Sequence, residues 1–289
     1  MDIQNLDAFV LVAETDSFSH AAAQLHLTQP AVSKRVSLLE QQLETELFDR
    51  IGRTVNLTES GRALLPHARA VQQALQAARQ SVRDLSGEVA GQLRLATSHH
   101  IGLHRLPPVL SDFTRAYPGA HIDIDFMDSE QAYELILQGK AELAVITLAP
   151  TSDAKLVTLP IWPDPLDFMV AHHHPLAGQR RLQLAALGDY PAVLPGLNTY
   201  TGQIVARLFE QHELTLQVSM ATNYLETIRM MASVGLGWTV LPRSMAEASL
   251  VTLQVQGVSI DRTLGVVYHR DRSLSRAARA FIEELRAAA

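Results

Sequence analysis

Apolar residues return every three or four positions through the first part of the chain. Ile3, Leu6, Phe9, Val10 and Ala13 fall on one helical face, and Ala21, Ala22 and Leu25 on the next. A third helix is predicted over LTQPAVSKRVSLLEQQL, where Thr28 can cap, Gln29 and Pro30 fill the first turn, and Val32, Val36, Leu39 and Leu43 form one buried stripe. Between the second and third helices stand only His26 and Leu27, the tight turn of a helix-turn-helix. β-Branched residues beside Gly52 and Arg53 read as a short wing. From Leu64 the steps alternate four and three through Ala68, Val71, Leu75, Ala78, Val82 and Leu85, the seam of a helix that pairs with another helix. After Gly91 short strands alternate with helices: QLRLAT, a helix to Tyr117, HIDIDFM, SEQAYELILQGK and AELAVIT, which implies a parallel sheet with covering helices. A second such set runs from LDFMVAH to TLGVVYH, and a last helix spans Ser273 to Ala287.

The predicted class is α/β in three parts. An all-α winged helix-turn-helix head covers 1–58, a linker and dimerisation helix 59–89, and a domain of two α/β lobes 90–289. One lobe takes about 90–160 and 263–289, the other about 161–262, with crossovers near Ala149–Pro160 and Val258–Arg262. Paired lobes place a ligand between them, at strand carboxyl ends and helix amino ends.

Composition narrows the chemistry. The chain has 47% apolar residues in 289, ordinary for a globular protein. No export signal is read at MDIQNLDAFV and no stretch is long enough to span a bilayer, so a cytoplasmic location without a membrane partner is expected. The absence of cysteine excludes disulfides, thiolate catalysis and cysteine-held metals. A formal charge of −6 argues against a nonspecific nucleic-acid coat. Residues 1–65 hold five cations against nine acids, but Thr28–Leu39 holds two cations and no acid. The exposed side of that helix offers Gln29, Ser33, Lys34, Arg35 and Ser37, amides and hydroxyls for base edges with cations for phosphates.

The stretch ATSHHIGLHRLPP raises a second question. His100 and His104 stand four apart and could share a helix face, but no neighbouring motif marks a third ligand and Gly102 interrupts the helix pattern, so no metal ligand set is expected. His172, His173 and His174 raise the same question. The other reading starts from position: Thr97 and Ser98 end a strand where the backbone turns into a helix, so hydroxyls and free N–H groups near His99 and His100 face the cleft and favour an anion. An imidazole there would donate to the ligand or become charged as it binds. No Gly-x-Ser-x-Gly elbow, phosphate loop or His-Glu-x-x-His helix occurs, and an enzyme is not expected.

These pieces in this order resemble a LysR-type transcriptional regulator over essentially the whole chain. The head matches that family's signature nearly without gaps, including Phe18-Ser19, Ala21-Ala22, Thr28-Gln29-Pro30-Ala31-Val32-Ser33, Leu39-Glu40, Leu47-Phe48 and Leu57-Thr58. GQLRLATSHHIGLHRLPPVLSDFTRAYPG, LILQGKAELAVI, His174–Ala177 and GLGWTVLP are similar to the family's effector domain. The resemblance implies a type 2 periplasmic-binding-protein-like fold and a homodimer or homotetramer built through the linker helix. Its partners would be double-stranded promoter DNA, a small effector that is often a carboxylate, and RNA polymerase. No further cofactor is implied. Gln29, Ser33 and Lys34 match positions the family points into the major groove, Thr28 and Pro30 stand with them as DNA-binding residues at the helix start, and Arg35, Arg50 and Arg53 are candidates for backbone or groove-edge contacts. Thr97, Ser98, His99 and His100 would form one wall of the effector cleft, with Asn198, Thr199 and Thr201 opposite and Thr147 and Trp238 as further lining. Many relatives place a small hydroxyl residue where His100 stands. The rival reading is a solute-binding receptor without gene control, against which the amino-terminal head weighs.

Gln29→Ala or Ser33→Ala is expected to weaken one cognate site by ~1–3 kcal/mol, whereas Arg53→Ala lowers affinity for every duplex and reduces the salt slope. Equal loss on cognate and random duplex for Gln29→Ala, in a gel-shift titration, would contradict base reading.

Overall fold

The structure is a computed structural model of the 289-residue chain that describes residues 1–51, 54–83, 88–151, 153–179 and 181–289. It falls into two compact units, Met1–Ser86 and Gly87–Ala289.

The first unit begins with α1 (Ile3–Thr15), α2 (Phe18–Gln24) and α3 (Gln29–Leu43). Each starts on a residue whose side chain accepts an orphan backbone N–H: Asp2 from Gln4, Ser17 from His20 and Thr28 from Ala31. The connections bend through left-handed residues at Asp16, His26 and Glu44. Apolar stripes of the three helices meet at Leu6, Phe9, Val10, Val32, Val36 and Leu39, and Leu47 and Phe48 close that core. β1 (Phe48–Ile51) pairs antiparallel with β2 (Thr54–Leu57), forming the wing. Next comes α4 (Glu59–Arg83), whose start is locked because Gly61 lies against the Leu47 carbonyl; a Cβ there would collide with that oxygen.

The second unit holds one seven-stranded sheet. In it β3 (Gly91–Thr97) lies parallel to β4 (Ala120–Phe126) and to β5 (Leu143–Thr147). β11 (Ile260–His269) lies antiparallel both to β5 and to β6 (Leu156–Ala171). The end of β6 pairs with β9 (Thr239–Pro242) and with β10 (Leu250–Leu253). A separate parallel pair joins β7 (Ala192–Leu194) to β8 (Val218–Ala221). The helices are α5 (His99–His104), α6 (Leu106–Ala116), α7 (Ser129–Leu137), the single turn α8 (Ala185–Gly188), α9 (Tyr200–Gln211), α10 (Leu225–Ser233) and α11 (Arg276–Ala287).

Two strands join the lobes. Along β6, Trp162 belongs to the core of Leu93, Phe113 and Phe281, while Leu166 belongs to that of Phe168, Phe209 and Trp238. β11 makes the same passage, from Ile260 in the second core to Leu264 in the first. The crossing on β6 thus lies between Trp162 and Leu166, beyond the expected Ala149–Pro160. Pro160, Pro163 and Pro165 make that stretch look like a loop, yet β6 is continuous there. The prolines fall where β6 pairs with β11 alone, since β9 and β10 meet it only from Leu166 onward, so missing N–H donors cost no second ladder.

Gly61→Ala must displace backbone and is expected to lower unfolding stability by ~1–3 kcal/mol. Gly178→Ala, with nothing within 4 Å of the place its methyl group would take, is the neutral control in the same denaturant titration.

Candidate functional site: the interlobe cleft and the recognition helix

On α3, Thr28, Gln29, Pro30 and Lys34 are exposed, while Ser33 and Arg35 are half-buried. Thr28 already caps the helix, and the Arg35 guanidinium donates to the Gln4 amide oxygen at 2.8 Å, which fixes it against α1. Arg53 and Leu85 lie outside the described residues, and Arg50 is described only by its place on β1. The heptad seam of α4 divides. Leu64 and Ala68 belong to the head's own core, Leu75 is half-buried, and Val71, Ala78 and Val82 are exposed.

Between the lobes of the second unit lies a cleft enclosing about 470 Å³, part of it open to solvent. The first lobe contributes Ser98, His99, His100 and Thr147, with Asp128, Ser129 and Glu130 from the start of α7. The other contributes Pro195, Thr199, Tyr200 and Thr201 at the start of α9, and Asn223 and Leu225 before and on α10. Arg262 reaches the cleft from the crossing strand.

Arg262 and Asp164 are register partners on β11 and β6, at the point where both strands change cores. The guanidinium Nε donates to Asp164 Oδ2 at 2.7 Å and Nη1 to Thr201 Oγ1 at 2.9 Å. Arg105 approaches the other Asp164 oxygen at 3.4 Å. Asp164 is 1% and Arg262 8% exposed, so burial works against the Arg262 charge and the Asp164 carboxylate opposes that in part. Two guanidiniums against one carboxylate leave a net positive charge in the cluster.

Further polar contacts cross the cleft. Glu130 Oε1 accepts the Tyr200 N–H at 2.5 Å, so a carboxylate of the chain itself stands on the amino end of α9. Burial raises the Glu130 carboxyl pKa above the ordinary carboxylate value, opposed by that hydrogen bond. Asn223 donates to Asp128 Oδ2 at 2.6 Å and accepts the Gly196 N–H at 3.0 Å. His104 Nε2 meets Glu226 Oε1 at 2.7 Å.

Six of the nine expected effector residues line the cleft: Ser98, His99, His100, Thr147, Thr199 and Thr201. Thr97 is fully buried and donates to the Val145 carbonyl at 2.7 Å, joining strands instead of facing a ligand. Asn198 is exposed on its loop; Asn223 is the asparagine that faces the cleft. Trp238 is likewise corrected: fully buried, it stacks on Phe209 and donates its indole N–H to the Leu187 and Tyr190 carbonyls, a core residue of the second lobe. Gly102 does not break α5, and the Phe126 ring occupies the place that its Cβ would take. His100 is 4% exposed with neither ring nitrogen hydrogen-bonded. Burial, and then the Arg262 charge, push it down to about 3, so the imidazole is neutral at physiological pH and a ligand-linked charge there is disfavoured. Local pattern does not find Arg262, Asp128, Glu130 or Asn223. For Arg262 and Asp164 the available signal is weak, since each crossing strand carries two charged residues, Asp164 and Asp167 on β6 and Asp261 and Arg262 on β11.

A profile described as "LysR substrate binding domain" matches residues 86–289. One described as "Bacterial regulatory helix-turn-helix protein, lysR family" matches residues 3–62. The chain is 30% identical over 288 residues to a "RuBisCO operon transcriptional regulator" of Allochromatium vinosum, covering 98% of this chain and 95% of that protein. It is 62% identical over 108 residues to an "Uncharacterized HTH-type transcriptional regulator in ibpB-leuC intergenic region" of Azotobacter vinelandii, covering 37% of this chain and 75% of that one. In fold it is similar to a full-length OxyR variant from Pseudomonas aeruginosa, with a TM-score of 0.73 at 23% identity over 99% of this chain and 98% of that one. It is also similar to full-length CbnR complexed with its target DNA, with a TM-score of 0.68 at 20% identity over the whole of both chains.

Asp164→Ala leaves Arg262 buried without its counter-charge and is expected to cost about 3–5 kcal/mol in urea unfolding. The raised Glu130 value has a definite sign. The folded chain holds that proton more tightly, so the contribution is complete below the ordinary carboxylate value and is lost as pH rises through the raised one. Glu130→Gln is therefore expected to flatten the fall of stability with pH just above the ordinary carboxylate range.

Proposed function

This chain belongs to the LysR family of bacterial regulatory helix-turn-helix proteins, a DNA-binding transcriptional regulator rather than an enzyme, and we propose that a small anion held in its interlobe cleft controls it. The observation that carries this reading is the buried Arg262 guanidinium, which lines the cleft and donates to Thr201 in the first turn of α9. The Glu130 carboxylate on the Tyr200 N–H supports it further, since that place already accepts a carboxylate. An incoming anion would displace Glu130, with Ser98, Thr147, Thr199 and Thr201 as hydroxyl partners.

Two copies would pair along the exposed apolar residues of α4, Val71, Ala78 and Val82, as a dimer or as half of a tetramer. Their heads would read a two-fold related promoter site with half-sites roughly 34–36 Å apart. Gln29, Ser33 and Lys34 would meet base edges, Thr28 and Pro30 would place the helix start, and Arg35, Arg50 and Arg53 would meet phosphates or groove edges. The anion acts by linkage: it changes DNA binding only by the difference in its affinity for the two forms of the assembly. The regulator would work in the cytoplasm and meet RNA polymerase at the promoter. Among the described residues no helix is long and apolar enough to cross a membrane.

Melting the full chain with a panel of small carboxylates, phosphate and sulfate tests the site, because a ligand of the folded state raises its stability. At least one anion is expected to raise the melting temperature of the wild type, less in Thr201→Val and more in Glu130→Gln. No stabilisation by any anion, or one indifferent to both substitutions, would contradict the reading.

A further inference from the structure

His100 is the one buried histidine of the cleft and has no hydrogen-bond partner for either nitrogen. A buried polar group left this way requires a reason, because its desolvation is not repaid. One turn further along α5 stands His104, its ring centroid 4.8 Å from that of His100. From the other lobe Glu226, in the first turn of α10, brings a carboxylate oxygen to within 2.7 Å of His104 Nε2. One ligand atom from each of the three lies within 4.8 Å of the others, and among the described residues this is the one such group.

We propose that His100, His104 and Glu226 form a site for a divalent transition-metal ion that bridges the two lobes. Two imidazole nitrogens and one carboxylate oxygen are the donor set that suits Zn²⁺ and its first-row neighbours, and a chain without cysteine offers them no thiolate. Ligand atoms of a tetrahedral ion with bonds of about 2.0–2.2 Å stand roughly 3.3 Å apart. That value falls between the 2.7 Å separation of His104 and Glu226 and the 4.8 Å that bounds the group. Small rotations about the side chains suffice to close the set. The ion takes the place of the hydrogen bond between His104 Nε2 and Glu226, binding His104 as a neutral imidazole with its ring proton on Nδ1. It gives His100 the partner it lacks. Three protein ligands leave the fourth position to water or to an oxygen of another ligand.

Charged neighbours act in both directions. Arg262 and Arg105 oppose a cation, and Asp164, bonded to both, offsets them in part. In the other histidine cluster two of the three side chains are engaged, His172 donating to the Ala248 carbonyl and His174 Nδ1 accepting the Leu176 N–H, while His173 is exposed. It therefore serves as the control. The site is independent of the anion reading, since its ligands are protein side chains and its test contains no anion.

The experiment is calorimetric titration of the untagged, chelator-stripped full chain with Zn²⁺ and with Ni²⁺, repeated for His104→Ala, Glu226→Ala and His173→Ala. The expected result is one ion per chain, with affinity lowered about tenfold or more in the first two variants and unchanged in the third. His104 and Glu226 have side chains 38% and 30% exposed, so both variants are expected to melt near the wild type in the absence of metal. With Co²⁺ as the probe, visible d–d absorption of a low-symmetry nitrogen and oxygen site should appear in the wild type and be lost in His104→Ala. Absence of binding to the wild type, or an affinity in His104→Ala and Glu226→Ala equal to that of the wild type, would overturn the proposal.

Discussion

The ion pair between Asp164 and Arg262 is the constraint on which the second unit depends. Two strands connect the lobes, and each leaves one apolar core and enters another within a few residues. At that passage the fold buries one acid and one base as register partners, while the neighbouring Asp261 stays exposed. Buried charges of this kind are costly to separate and contribute little net stability compared with an apolar pair. Their value lies in geometry. The guanidinium is fixed by Asp164 on its own ladder and by Thr201 on α9, so a cation is held where the lobes meet.

The remaining polar contacts across the cleft follow from that placement. Glu130 on the amino end of α9, Asn223 on Asp128 and Glu226 on His104 all join an element of one lobe to an element of the other. Each is a hydrogen bond or ion pair, exchangeable for a contact with a ligand at small net cost. The two cores are apolar and do not exchange. A regulator needs this division: rigid lobes, and a boundary between them made of contacts that a small molecule can replace.

Periodicity makes the head legible. The stripe Val32, Val36 and Leu39, the Thr28 cap and the wing can be read from local spacing, because helices and hairpins are short-range structures. The effector domain is legible as alternating strands and helices, and six cleft residues can be placed because they follow strand ends or precede helix starts. What stays hidden is long-range. Asp164 and Arg262 are 98 residues apart, and His104 and Glu226 are 122. No local pattern joins them. The prolines of β6 conceal a strand, since only the ladder shows that it has one neighbour there. Neighbouring motifs draw Asn198 and Trp238 toward the cleft, whereas the fold turns one to solvent and the other into a core.

The claim that the lobes are held together by replaceable polar contacts around a fixed ladder can be tested by amide hydrogen exchange on the full chain. The Tyr200 N–H is the most direct reporter, because its partner is a side chain of the opposite lobe. We expect it to exchange slowly in the wild type and much faster in Glu130→Ala, while the amides of the β6 and β11 ladder keep their protection. Unchanged exchange at Tyr200, or loss of protection along the ladder in the same variant, would contradict the account.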